Sequence, residues 1–249
     1  MQGWPSPRDR FEEHPEPAAP DRAAWVLNLR RLNERDEDAL APVFDERWGE
    51  IEDTHRAFLE RFLSKVPSDG SVLDAACGTG KYFGMVLASG RSVLGVDHAA
   101  AYLALAGAKF PQVSTEKRDL QELLYREEFD GVMCIDAMEM IPPEDWPIVL
   151  RRFCRALRPR GWLYLTVELH PEDEVRALND EARLRRLPVV EGEVLWEESG
   201  YHHYPAMERV RRWLEGAGFV IEDEAQGPWH DEGYAYHHVL SRVQTMEEP

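Results

Sequence analysis

A doubly wound α/β fold is what this sequence predicts, and three observations carry the prediction. From Val72 onward, short apolar segments alternate with longer stretches of helical spacing, always strand before helix. Several of those segments are continuous apolar runs (Val72 to Ala75, Ser92 to Val96, Gly131 to Ile135), as expected of parallel strands covered by helices on both faces. The first strand passes through the turn Cys77-Gly78-Thr79-Gly80 directly into a helix, the connection at which such sheets bind ligands. The full expectation is a seven-stranded, mostly parallel sheet with a C-terminal antiparallel hairpin, an N-terminal helical cap and an insertion after strand five.

The first twenty residues are polar and proline-rich, which predicts a flexible arm. Residues 21–249 are read as a single domain, since this length suits one large core. Apolar residues at three-to-four spacing predict helices over Arg22 to Leu32 and Ile51 to Leu63, in a cap spanning 22–66. The turn Pro67-Ser68-Asp69-Gly70 then opens the core, 67–170. Its strands are expected at 72–75, 92–96, 113–117, 131–135 and 162–168, and its helices near 82–88, 99–109 and 144–157. The insertion, 171–205, reads as a helix over Glu172 to Leu184 and two short strands around a turn at Ser199-Gly200. A helix over Ala206 to Ala217 stops at Gly218, and two apolar runs around a Gly227 to Gly233 loop form the closing hairpin of segment 206–243.

Composition narrows the function. No apolar run approaches the roughly 20 residues of a membrane helix, and the N-terminus lacks the order of a signal peptide, so a cytoplasmic protein without membrane partners is expected. Three widely spaced cysteines without a CxxC pair, and histidines without HxxxH spacing, predict neither a disulfide framework nor a metal site. The formal charge of -18 disfavours nucleic acid as a partner, because an acidic surface repels phosphate backbones. The arginines between Arg151 and Arg160 read as the solvated face of a helix.

The stretch Ser71 to Tyr82 (SVLDAACGTGKY) holds most of the chemistry. Gly78 and Gly80 permit positive φ and close approach of a ligand to the backbone, and the N–H groups of the following helix start stay free. The order is not the GxGxxG of dinucleotide binding. The segment DAACGTG resembles the first motif of class I S-adenosylmethionine-dependent methyltransferases, with Ala76 where glycine is more usual. Further segments follow in the family's order: VLGVD ending in Asp97, RDLQEL with Asp119 and Leu120, FDGVMCIDAMEMI with Asp136, and LRPRGWLYLTVE. The resemblance implies S-adenosyl-L-methionine as cofactor and S-adenosyl-L-homocysteine as product. It implies cofactor contacts from Asp74, Ala76, Cys77, Gly78 and Gly80, from Asp97 at the ribose, from His98, from Asp119 and Leu120 at the adenine, and from Asp136, which touches the cofactor or the substrate. Asp97 and Asp119 also suit plain helix capping.

The expected reaction is methyl transfer to an oxygen, nitrogen or carbon atom of a small-molecule acceptor. The alternatives are methylation of a basic protein segment, or cofactor binding without catalysis. Nucleic-acid amino methyltransferases carry Asn/Asp-Pro-Pro after strand four, whereas the prolines of DAMEMIPP come later. His170, just past strand five, is the first candidate for a base, with His203 and Glu139 beside it. On a strand, His202 and His203 point to opposite faces, so only one of them can face a pocket. Trp48, Tyr201, Tyr204, Trp229 and His230 are the candidate acceptor contacts, with the cap and the insertion roofing the site.

Overall fold

The computed structural model describes residues 21–196, 200–231 and 233–244. The expected arm at 1–20 and the Ser199 half of the insertion's turn lie outside the described residues. In chain order the elements are α1 (Arg22–Trp48), α2 (Asp53–Lys65), β1 (Ser71–Ala75), α3 (Phe83–Ala88), β2 (Ser92–Asp97), α4 (Ala100–Lys109), β3 (Ser114–Lys117), β4 (Phe129–Cys134), α5 (Trp146–Ala156), β5 (Leu157–Leu169), α6 (Glu172–Leu184), β6 (Glu193–Trp196), β7 (Gly200–His203), α7 (Met207–Ala217), β8 (Phe219–Gln226) and β9 (Ala235–Val243). The main sheet runs β3-β2-β1-β4-β5-β9-β8, and β6 and β7 form a separate two-stranded ribbon. Strands β1 to β5 are parallel, while β9 pairs antiparallel with both β5 and β8. The chain reverses direction across the sheet between β1 and β4, so the carboxyl ends of the parallel strands diverge there and leave a crevice.

Two apolar layers hold the sheet. On one face α5 and α7 bury Trp146, Leu150, Phe153, Val210 and Leu214 against Leu73, Val132 and Leu165. On the other, α2 presents Phe58, Leu59, Phe62 and Leu63 to Val72, Met133, Tyr164 and Leu240. Gly131 is held to glycine by this contact, since a Cβ there would come within 2.6 Å of the Phe62 ring.

The largest difference from the sequence-based expectation is α1, which continues sixteen residues past Leu32 to Trp48. Pro42 lies inside it, a position that disfavours a helix because proline removes an N–H and crowds the carbonyl four residues back. The helix persists because its second half is held from outside. Asp38 accepts the Ala101 N–H at 2.8 Å, Asp45 pairs with Lys109 at 2.7 Å, and Phe44 packs on Tyr102 at 4.8 Å. Its first half packs Trp25 and Leu29 against Tyr201 and Ala182 of the insertion, and Arg22 pairs with Glu193 at 2.6 Å.

Helix α7 ends as its sequence requires, with Gly218 at φ +96°. Gly218→Ala is expected to lower stability by about 1 kcal/mol, because the left-handed conformation disfavours a Cβ and that atom would sit 3.3 Å from Cys154 Sγ. Urea denaturation checks this, and an unchanged midpoint would show that the turn relaxes freely.

Candidate active site

A cavity of about 1960 Å³ opens at the carboxyl ends of β1 to β5. A single small ligand usually occupies about 300–1,000 Å³, so this space has room for two. Its floor is the residues at or just past the strand ends, among them Ala76 to Gly78, Asp97, Asp119, Asp136 and Glu168. One wall is a stripe of α1 at helical spacing (Asn33, Glu37, Leu40, Phe44, Trp48), and the insertion supplies Trp196, His202 and Tyr204.

At the glycine turn, Gly78 has φ +51° and nothing lies within 4 Å of where a Cβ would stand. Its N–H donates to Asp97 Oδ2 at 2.8 Å, while Asp97 Oδ1 accepts the Ala99 N–H at 2.8 Å. Asp97 therefore ties the residue that precedes α4 to the glycine turn, and each oxygen keeps a further acceptor site. Burial pushes its carboxyl above the ordinary value, moderated by the Ala99 and Gly78 N–H groups. Ala76, where glycine would be the commoner choice, sits at φ +66°, a conformation costing an ordinary residue about 1 kcal/mol. Asp119 accepts the Gln121 N–H at 3.2 Å and starts a single 3₁₀ turn instead of a full helix. His98 pairs with Glu37 of α1; burial opposes its protonation, but Glu37 and Asp97 push it up to about 9.

On the far side of the turn Asp136 holds the centre, at φ +53°. Its Oδ1 lies 2.9 Å from His55 Nε2, Tyr82 donates to Oδ2 at 3.4 Å, and Thr166 Oγ1 accepts its N–H at 2.8 Å. Burial alone would raise the Asp136 carboxyl, but His55 and Lys81 hold it below its usual value. His55, itself buried, is pushed up to about 9 by Asp136 and Glu52 despite that burial. Glu52 also lies 3.3 Å from His230 Nε2. Beyond Asp136 stand Glu139, with burial and Glu168 driving its carboxyl well up, and Glu168, pushed by burial and Asp136 up to about 7. Tyr204 donates to Glu168 at 3.4 Å and accepts the Trp196 indole N–H at 2.8 Å.

A family model described as a methyltransferase domain matches residues 72–161, which span the glycine turn, Asp97, Asp119 and Asp136. Over those residues the chain is similar to S-adenosylmethionine-dependent methyltransferases. The chain is 33% identical over 136 residues to the trans-aconitate 2-methyltransferase of Deinococcus radiodurans, a match covering 53% of this chain and 48% of the relative. It is 27% identical over 147 residues to the tRNA (carboxymethyluridine(34)-5-O)-methyltransferase of Arabidopsis thaliana, covering 57% and 33%. The matched stretch thus spans less than half the length of either curated relative. The structure of the Burkholderia thailandensis 1,6-didemethyltoxoflavin-N1-methyltransferase superposes with a TM-score of 0.62 at 19% identity, covering 94% of this chain and 93% of that one. That likeness extends the shared fold to the cap and the insertion.

Of the expected cofactor contacts, Ala76, Cys77, Gly78, Asp97, His98, Asp119, Leu120 and Asp136 all line the cavity. Asp74 lies beneath the turn, 1% exposed and with both carboxylate oxygens unpartnered, and burial and Asp97 favour its neutral form. Gly80 serves packing, since a Cβ there would meet the Phe83 ring at 2.8 Å. Burial pushes the Cys77 thiol up, away from any nucleophilic role. Among the acceptor-side candidates, His170, Glu139, Trp48, Tyr204 and His230 line the cavity.

Three expectations require correction. His203 is fully buried between Trp146 and Trp213, ring centroids 6.0 and 6.2 Å away, so strand alternation turns His202 to the cavity in its place. Tyr201 donates to Glu193 at 2.6 Å and packs on Trp25, joining the insertion to α1. Trp229 is half exposed and outside the cavity lining. The sequence reading missed His55, Glu52, Tyr82 and Glu168. His55 shares the apolar helical face of Phe58, Leu59 and Phe62, where a histidine reads as core; its one signal was being the polar member of that stripe.

Proposed function

We propose that the protein transfers a methyl group from S-adenosyl-L-methionine to an oxygen, nitrogen or carbon atom of a small-molecule acceptor, leaving S-adenosyl-L-homocysteine. The observation that carries this is the continuity of one cavity from the glycine turn to the carboxylate and aromatic wall beyond Asp136. The open space over Gly78 and the remaining acceptor sites of Asp97 fit the cofactor's backbone approach and paired ribose hydroxyls. Asp119 and the Leu120 amide would read the adenine.

The sulfonium methyl is already activated when the cofactor is bound, so the chain's own task is alignment and exclusion of water. The α1 stripe and the insertion wall off the cavity, while the Asp136 carboxylate is fixed by His55, Tyr82 and Thr166 beside the space left for the acceptor. The acidic surface and the acidic cavity support an acceptor other than nucleic acid. Among the described residues no helix is long and apolar enough to cross a membrane.

Asp97→Ala is expected to weaken S-adenosylmethionine binding at least tenfold, about 1.4 kcal/mol, through loss of a charged acceptor and of the tie to Gly78. Calorimetry giving equal affinities would remove Asp97 from the cofactor site. Turnover is tested by S-adenosylhomocysteine release in a metabolite extract, where no extract-dependent rise would leave only a binding protein.

A further inference from the structure

We propose that the acceptor is an amine, held as its ammonium ion between Glu139 and Glu168 and relieved of one proton by that pair before methylation. The inference rests on the methyl-transfer reading and names its substrate class. Charge points this way first: the cavity is lined by eleven carboxylate side chains against five lysines and arginines. Of the three acids beyond the glycine turn, Asp136 is answered by His55 at 2.9 Å and Lys81 at 4.0 Å. Among the described residues Glu168 takes a side-chain hydrogen bond from the Tyr204 hydroxyl alone, at 3.4 Å, and Glu139 Oε2 takes none, although Glu139 is 7% exposed and lines the cavity.

A buried, unpartnered carboxylate oxygen is costly to leave in place, and a donor brought by a ligand would remove that cost. Three further features suit a nitrogen base. Tyr204, Trp196 and Tyr236 present aromatic rings to the same space, and such rings attract a cation by about 0.5–2 kcal/mol. His202, buried and depressed to about 4 by that burial, lines the cavity uncharged, so it does not repel an ammonium. Burial and Glu168 hold Glu139 toward its neutral form, while Glu168, pushed up to about 7, is the member of the two that can take up a proton near neutral pH.

The step balances on those groups. The ammonium gives one proton to the Glu139 and Glu168 pair, and the freed nitrogen lone pair forms the new N–C bond. The C–S bond breaks with its electron pair leaving on sulfur, which becomes a neutral thioether, and the product is a methylated ammonium. Its positive charge equals that of the amine which entered, and the proton held by the acids is returned to water.

The test uses the full chain and two matched triplets, tyramine, tyrosol and 4-hydroxyphenylacetate, and hexylamine, hexanol and hexanoate, measured by ligand-observed NMR. S-adenosylhomocysteine affinity is measured first by calorimetry. If it does not bind, the methyl-transfer reading fails, and the triplets, run on the free chain, still decide the amine preference. In at least one triplet the amine should bind tenfold or more tighter than both partners, and the Glu139→Gln, Glu168→Gln double variant should erase that preference. Glu168→Gln alone, which keeps the shape, should reduce it at least threefold if the double variant does not fold. A hydroxyl or carboxylate compound binding as tightly as its amine in both triplets, an amine preference that survives the substitutions, or no amine binding at all overturns the proposal.

Discussion

Replacing His55 with alanine is expected to destabilise the protein by about 3 kcal/mol at pH 6.5. The imidazole is 1% exposed and lies 2.9 Å from Asp136, and removing one member of a buried pair leaves the other charge without compensation. Asp136 keeps Lys81 and the Tyr82 hydroxyl, which places the cost at the lower end for such pairs. The pH dependence identifies the charge. His55 is raised from 6.5 to about 9 on folding, so the folded chain binds the extra proton. The resulting stability is fully present below pH 6.5 and is lost as pH rises through about 9. Urea denaturation of wild type should therefore show a decline between pH 6.5 and 9.5 that His55→Ala lacks. Parallel profiles for the two proteins would mean that the pair is not charged.

Glu168→Gln should act in the opposite direction, stabilising the protein by about 2 kcal/mol at pH 8. Burial and Asp136 raise the Glu168 carboxyl from 4.5 to about 7. A carboxyl whose pKa is raised on folding favours the folded chain at low pH, and that advantage disappears as pH climbs from about 4.5 through 7. The glutamine variant has no such loss, so the gain should be absent at pH 4 and complete by pH 8. Thermal melts at both values check this, and a variant less stable than wild type at pH 8 would show that the ionised carboxylate has a favourable partner. A gain in stability on removing a cavity carboxylate would mark a residue kept for a ligand at the expense of the fold.

The parts legible in the sequence are those governed by local rules. Strand patterns and the glycine turn locate β1 to β5, and the helix over Glu172 to Leu184 is found at its expected bounds because spacing and breakers decide it. The same local rules placed Asp97 at a strand end and Gly218 at a helix end. What escaped depends on partners distant in the chain. The length of α1 is set by contacts with α4 and the insertion, which outweigh the local signal of Pro42. His55 acquires its meaning from Asp136, 81 residues away, and Glu168 from Tyr204. Between the adjacent His202 and His203, the alternation rule limited the choice to one, but only the packing of the ribbon on Trp146 and Trp213 decides which.

The unbroken course of α1 has a mechanical consequence. The helix is pinned at one end by Trp25 and Arg22 to the insertion and at the other by Phe44 and Asp45 to α4 and its surroundings, and it spans on the order of 40 Å between. Such a rod works as a tie-beam between the acceptor side and the glycine-turn side. Its middle is fastened by ion pairs such as Arg30 with Asp145 and Lys117 with Glu34, which salt screens, whereas its ends add aromatic packing of Trp25 on Tyr201 and Phe44 on Tyr102 to their ion pairs. The two compartments therefore share one wall, and salt should loosen the middle of that wall more than its ends.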